Sequence, residues 1–275
     1  MNYYRQPHFT MRNILPFEPY RECMAASHTI GSVQTMVRIV EALSEFGEAG
    51  VTEIADDTGI SKGTVHKHLT TLRSLDYIIK DGTNYRLGMR FLGLGNRIRE
   101  QIPLYHVTRP VIDDLADMTN AMVNLMILEH GYGMYIYRAG PELNASSSLP
   151  AVGERVHLHA TAGGKAILSQ LENDEVVEII TERGIPKLTE KTIDSEQELR
   201  RELRSVRDRG LAFERGEHLP SVQCVAAPIT TPDGSIGAIS ITGNIDRMSG
   251  KNLEEDLAGL IISTAKEIEI SFLEK

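Results

Sequence analysis

The chain has 275 residues, with a hydrophobic fraction of 41%, a charged fraction of 24% and a net charge of -9, the balance of a folded globular protein with one large domain or two modest ones. The acidic total excludes a protein coated in positive charge for bulk nucleic-acid binding and leaves room only for a local basic face. No apolar run approaches the roughly 18 residues of a membrane helix and no apolar core of a secretory signal opens the chain, so a cytoplasmic protein without a membrane partner is expected.

Residues 1–28 show no sustained period. Pro7, Pro16 and Pro19 interrupt any helix, so this stretch reads as a flexible arm, with Met24 a candidate start. It also holds Cys23, one of two cysteines. The other, Cys224, is far away and no CxxC pair exists, so neither a disulfide nor a cysteine zinc site is expected.

From Ile30 a helical period begins: Val33, Met36, Val37, Val40 and Leu43 predict a helix to about Phe46, closed by Gly47 and Gly50. In "VTEIADDTGISKGTVHKHLTTLRSLDYI", Thr52 is expected to cap a short helix through Asp57. Gly59 permits a tight turn, and Ser61 caps the next helix with Val65, Leu69 and Leu72 inward. "YIIKDGTNYRLG" reads as two strands around Asp81-Gly82. Helix, short helix, turn, helix and ribbon predict a winged helix-turn-helix over 29–88, whose last helix enters the DNA major groove. That helix carries Lys62, Lys67, Arg73 and two histidines but no acid. The candidate DNA contacts are Ser61, Lys62, Gly63, Thr64, His66, Lys67, Thr70 and Arg73. The partner they imply is a double-stranded operator.

Residues 89–107 predict a connecting helix that ends before Pro103. Leu92, Leu94, Ile98 and Ile102 are apolar on this short helix outside either core and suggest packing against a second chain. Beyond Thr108 the pattern becomes α+β. A helix is expected over 109–120, then a hairpin turning at His130–Gly133 and a Ser/Pro/Gly-rich loop over 140–154. A strand over 155–159 feeds a helix from about Ala162. Helices over 173–183 and 194–209, strands over 211–218, 222–230 and 235–242, and a helix over 253–272 follow.

"RVHLHATAGGKAIL" at 155–168 has the strand, glycines and lysine of a phosphate loop, but His159 stands where a Walker motif needs Gly, and Ala166 where it needs Ser or Thr. Gly163 and Gly164 at a helix start instead offer bare backbone N–H groups to an anion, or allow close packing on a sheet. Lys165 is read as solvent-facing or structural. His157 and His159, two apart on the expected strand, make half a zinc site, with His218 the third candidate. Glu214 and Glu217 invite a paired-carboxylate reading, yet lie three apart on an expected strand and so face opposite sides. Cys224 has no evident activating base. No metal, cofactor or catalytic residue is expected. The alternative is an enzyme acting on a small carboxylate through Glu214, His218 or Cys224, with the winged helix as an interaction module.

"LHATAGGKAIL" at 158–168 and "GLAFERGEHLPSVQCVAAPITTPDGSIGAISITG" at 210–243, following a winged helix, resemble the IclR family of prokaryotic transcription regulators. The resemblance runs from about residue 30 to the end of the chain. It implies a GAF-like effector-binding domain over 108–275, a homodimer or dimer of dimers on DNA, a small organic or aromatic carboxylate as effector, and control of catabolic genes. It also implies an effector pocket lined by Ala162, Gly163, Glu214, Cys224, Ser240 and Thr242. Many relatives carry Asp and Ser where Glu214 and Thr242 stand here, so the added carbon reshapes that cavity.

Overall fold

The computed structural model describes residues 29–141, 149–246, 248 and 252–274. The expected N-terminal arm, with Cys23 and Met24, and the centre of the 140–154 loop lie outside the described residues. The chain divides into two compact units, with the boundary between Ile98 and Arg99.

The first unit holds α1 (Gly31–Phe46), β1 (Ala49–Gly50), α2 (Val51–Thr58), α3 (Lys62–Ser74), β2 (Ile78–Asp81), β3 (Asn84–Leu87) and most of α4 (Arg90–Arg99). The three strands pair antiparallel in the order β1-β3-β2. Ile39, Leu43, Ile54, Val65, Leu69, Leu72, Ile78 and Tyr85 form one core, so α1, α2, α3 and the ribbon share a single apolar centre. Val33, expected inward, is exposed, because the buried stripe of α1 runs through Ile39, Ala42 and Leu43. The cap of α2 also differs from expectation. Its first residue is Val51, so Thr52 lies inside the first turn, and the Glu53 carboxylate accepts the Gly50 N–H at 2.8 Å.

The second unit holds α5 (Pro103–Thr119), β4 (Met122–Glu129), β5 (Tyr132–Ala139), β6 (Arg155–Val156), α6 (Ala162–Leu168), α7 (Asn173–Arg183), α8 (Glu196–Arg209), β7 (Ala212–Arg215), β8 (Val222–Thr230), β9 (Ile236–Asn244) and α9 (Ala258–Leu273). Six strands form one antiparallel sheet in the order β6-β5-β4-β9-β8-β7. Leu104, Ile112 and Leu115 of α5 and Ile261 and Ile268 of α9 pack with Val123, Leu125, Val225 and Ile241 on one face. Ala162, Ala166 and Ile167 of α6 and Leu199, Leu203 and Val206 of α8 pack with Met126, Ala226 and Ala238 on the other. Residues of β4 and β8 alternate between the two helical layers.

Two expectations fail for local reasons. Pro103 opens a helix rather than ending one. It stands at the first helical position, where its missing N–H has no partner to lose, and α5 continues from there to Thr119 while the connecting helix α4 stops at Arg99. The strand expected over 155–159 covers only Arg155 and Val156; Leu158–Ala160 form a single 3-10 turn. His157 and His159 therefore do not share a strand face.

Candidate functional sites: a basic helix face and a polar cavity

In the first unit, Gly59 closes α2 in the left-handed region at φ 69°, and Ser61 starts α3 by accepting the Thr64 N–H at 3.3 Å. The Arg38 guanidinium donates to the Thr58 carbonyl and ties α1 to this turn. With Val65, Leu69 and Leu72 buried, α3 leaves Lys62, Gly63, His66, Lys67, Thr70 and Arg73 exposed, with Ser61 exposed at its cap. Thr64 is half-buried, and its hydroxyl meets that of Ser61 at 2.9 Å. Among the described residues no ion pair engages Lys62, Lys67 or Arg73, so a surface without an acid keeps three cations in water. The ribbon adds Lys80 and Arg86, both exposed, which the sequence reading passed over although it placed the strands that carry them.

In the second unit, strand pairing assembles a polar row. Glu214 of β7 stands opposite Cys224 of β8, which stands opposite Thr242 of β9. Asn124 of β4 stands between Ser240 of β9 and Arg138 of β5. The rows join: Arg138 Nε donates to Asn124 Oδ1 at 2.6 Å, Asn124 Nδ2 donates to Thr242 Oγ1 at 3.0 Å, and Thr242 shares a 3.1 Å hydrogen bond with Cys224. These groups face an atom-free space of about 330 Å³, partly open to solvent. Tyr135, Thr161, His218, Val222, Leu149 and Pro150 complete its lining.

The cavity is polar but unevenly charged. Arg138 is half-buried and spends two of its N–H groups on Asn124 and, at 2.8 Å, the Pro150 carbonyl. A guanidinium has five. Burial lowers its basicity while the arginine remains a cation. Burial raises the Glu214 carboxyl to about 7, against the N–H groups of His218 and Glu217, which donate to Oε1 at 3.1 and 2.5 Å. Burial lowers the His218 imidazole to about 4, and its Nδ1 has no hydrogen-bond partner among the described residues. The Cys224 thiol is pushed well up by burial and then by Glu214, which opposes thiolate formation.

Of the expected effector contacts, the structure brings Glu214, Cys224 and Thr242 onto the cavity wall and leaves Ala162, Gly163 and Ser240 out of it. Those three are buried as packing: a Cβ on Gly163 would meet Met126 Sδ at 3.2 Å, and Ser240 Oγ accepts from Asn124 Nδ2 at 3.4 Å. Thr161 is what α6 contributes to the wall, and its hydroxyl also caps the helix by accepting the Gly164 N–H at 3.0 Å. Glu214 and Glu217 are corrected as well. β7 ends at Arg215, so the chain turns and the two carboxylates converge. Glu217 grips the buried Lys165 Nζ with both oxygens at 2.8 Å, and Glu202 approaches at 3.5 Å. Lys165 is thus structural. His159 Nε2 pairs with the Pro186 carbonyl at 3.0 Å, and among the described residues no cluster of three or more His, Cys, Asp or Glu could hold a metal.

Asn124, Tyr135 and Arg138 were missed by sequence reading because a bulge hides them. The β4–β5 register slips between Leu125 and Met126, leaving Ile136 without a partner. Tyr135 and Arg138, three apart, therefore face the same side, where simple alternation would separate them.

A family model described as the C-terminal domain of bacterial IclR transcriptional regulators matches residues 97–270, and one described as a bacterial regulatory protein of the arsR family matches residues 34–80. The chain is 25% identical over 260 residues to the transcriptional repressor IclR of Escherichia coli, covering 92% of this chain and 94% of the relative. It is 30% identical over 245 residues to the HTH-type transcriptional regulator XynR of the same organism, covering 86% and 97%. Its fold matches, with a TM-score of 0.74 and 20% identity, an IclR homologue from Microbacterium hydrocarbonoxydans solved with 4-hydroxybenzoate, over 89% of this chain and all of that one. No helix among the described residues is long and apolar enough to cross a membrane.

Proposed function

Since the chain belongs to the IclR family of bacterial transcription regulators, we propose that it is a cytoplasmic, effector-responsive regulator of catabolic genes whose winged helix reads an operator and whose cavity binds a small organic or aromatic carboxylate. Arg138 carries the effector reading: among the described residues it is the one arginine or lysine lining the cavity, and it keeps N–H groups unspent by its protein partners. The 4-hydroxybenzoate bound by the similar homologue is a ligand of this class. The effector contacts are Arg138, Asn124, Glu214, Cys224 and Thr242. Those to DNA are Ser61, Lys62, Gly63, Thr64, His66, Lys67, Thr70 and Arg73, joined by Lys80 and Arg86 from the wing. Met89, Leu92, Leu94 and Ile98, in and beside α4, are exposed, and this apolar surface supports self-association into a homodimer or a dimer of dimers.

A catalytic role gains nothing from the site. The thiol that would attack is held protonated, and the Glu214 oxygen that could accept its proton is itself raised. The test is a thermal-shift screen of the purified chain against organic and aromatic acids, followed by binding to its own upstream region at low salt. A melting-temperature rise with acids that also alters DNA binding is expected. Failure to bind that DNA with or without any acid overturns the regulator reading.

A further inference from the structure

The connecting helix α4 is held at each end by the same device. At its first residue, Arg90 Nη1 donates at 2.6 Å to the carbonyl of Leu75, the C-cap of α3. The Arg90 guanidinium also lies 4.7 Å over the Tyr77 ring. At its last residue, Arg99 Nη1 donates at 3.4 Å to the Ile136 carbonyl, and the guanidinium lies 4.8 Å over the Tyr105 ring. Both clamps join a charged donor on a carbonyl to a cation on an aromatic face. Each lies inside one compact unit, the first within residues 1–98 and the second within residues 99–275. Between them α4 is a helix of 10 residues, roughly 15 Å long, none of them buried. Core packing therefore holds it little, and the clamps weigh correspondingly more.

The second clamp grips the extra residue of the β5 bulge. Tyr135 and Arg138 line the cavity, while Ile136 and Tyr137 between them turn to the layer of α5 and α9. Tyr105 meets Tyr137 edge-on at 5.6 Å, and the Tyr137 hydroxyl donates to Asp113 at 2.6 Å. Arg99 thus reaches the bulge twice, through the Ile136 carbonyl and through Tyr105. A bulge is a discrete arrangement: shifting the extra residue by one position turns the residue it passes to the other face of the sheet. The place of the bulge therefore decides how Arg138 is aimed, and Arg99 holds it at Ile136. Resting on the regulator reading above, we propose that Arg99 and Arg90 are positioning residues that couple the cavity to operator binding through α4. Arg99 ties the end of α4 to the bulge, and Arg90 passes a displacement of α4 to the C-terminus of α3. Neither lines the cavity, and neither is among the proposed DNA contacts. Such coupling is reciprocal, so DNA bound at α3 must alter β5 whatever the effector is.

The experiment is amide hydrogen exchange on the full chain, with and without a saturating duplex of its own upstream region, for the wild type, Arg99→Gln, Arg90→Gln and Arg99→Lys. In the wild type, DNA should change the exchange rate of the β5 peptide, residues 132–139, by at least about threefold. In Arg99→Gln and in Arg90→Gln that change should shrink to within about 1.5-fold, while DNA still protects α3. Arg99→Lys keeps a cation over Tyr105 and a donor for the Ile136 carbonyl, so it should retain most of the response, which a loss of packing alone would not restore. The readout is the difference that DNA makes, so a variant's own effect on opening cancels. Arg90 is exposed, and its variant decides the matter if Arg99→Gln does not fold. A wild-type β5 indifferent to bound DNA, or a full response in either folded Gln variant, overturns the inference and leaves the regulator reading standing. If the wild type does not bind the duplex at low salt, that reading falls and the inference with it.

Discussion

A methyl group added at Gly164 would sit 2.2 Å from the Leu158 carbonyl oxygen and 2.4 Å from its Cα, both of them backbone atoms that cannot turn aside. At Gly163 the nearest atom is Met126 Sδ at 3.2 Å, the end of a flexible side chain. Gly164→Ala should therefore destabilise the C-terminal unit by about 3 kcal/mol or more, and Gly163→Ala by about 1 kcal/mol, as read from denaturant melts. Ionisable side chains add a pH signature. His159 and His218 are lowered to about 4, so their contribution to stability is present above pH 6.5 and is lost as pH falls from there toward 4. Glu214 has the opposite sign. Its carboxyl is raised from 4.5 to about 7, so its contribution is present below pH 4.5 and is lost as pH rises through 7. Glu214→Gln removes that loss. Relative to the wild type, the variant should gain stability between pH 5 and pH 8.5, by up to about 3 kcal/mol, in parallel melts at the two pH values. A difference that is flat with pH would show that Glu214 does not titrate in this window.

Among elements, α3 was the most legible in the sequence. Val65, Leu69 and Leu72 recur at helical spacing, Ser61 supplies the cap, and both features depend only on neighbours along the chain. Exchanging Lys67 and Arg73 for alanine should weaken operator binding by at least about tenfold. It should also lower the slope of log affinity against log salt by about 2, with any effector-induced melting shift unchanged, as gel-shift titrations at several salt concentrations would measure. Loss of the melting shift as well would point to misfolding. Elements whose form depends on distant partners were less legible. Pro103 reads as a stop when only the helix before it is considered, yet it serves as a start for α5. The short strand β6 ends at Val156 because it pairs only with Gly133 and Met134. The cavity was half legible. Glu214, Cys224 and Thr242 lie in motifs recognisable as sequence, whereas Arg138 and Asn124 meet through a bulge that no local pattern announces.

For the whole molecule, the proposed function makes effector and operator linked ligands. Whatever factor the effector applies to operator affinity, operator DNA must apply to effector affinity. Measuring both legs of that cycle on one preparation should give the same factor, different from one; a factor of one on both legs would mean that the two sites are not coupled. Association is tested at α4. Leu92→Ser with Ile98→Ser should shift sedimentation toward the monomer and weaken operator binding, while the C-terminal unit keeps its effector response. Lys165 has a practical consequence for following such changes in solution. Its amine is 1% exposed and held between Glu217 and Glu202, beneath the helix that supports the cavity wall. Amine-acylating reagents should pass it by in the native chain and reach it only when α6 lifts from the sheet. The rate at which the peptide carrying Lys165 becomes labelled is then a clock for local opening, and an effector that clamps this layer should slow it.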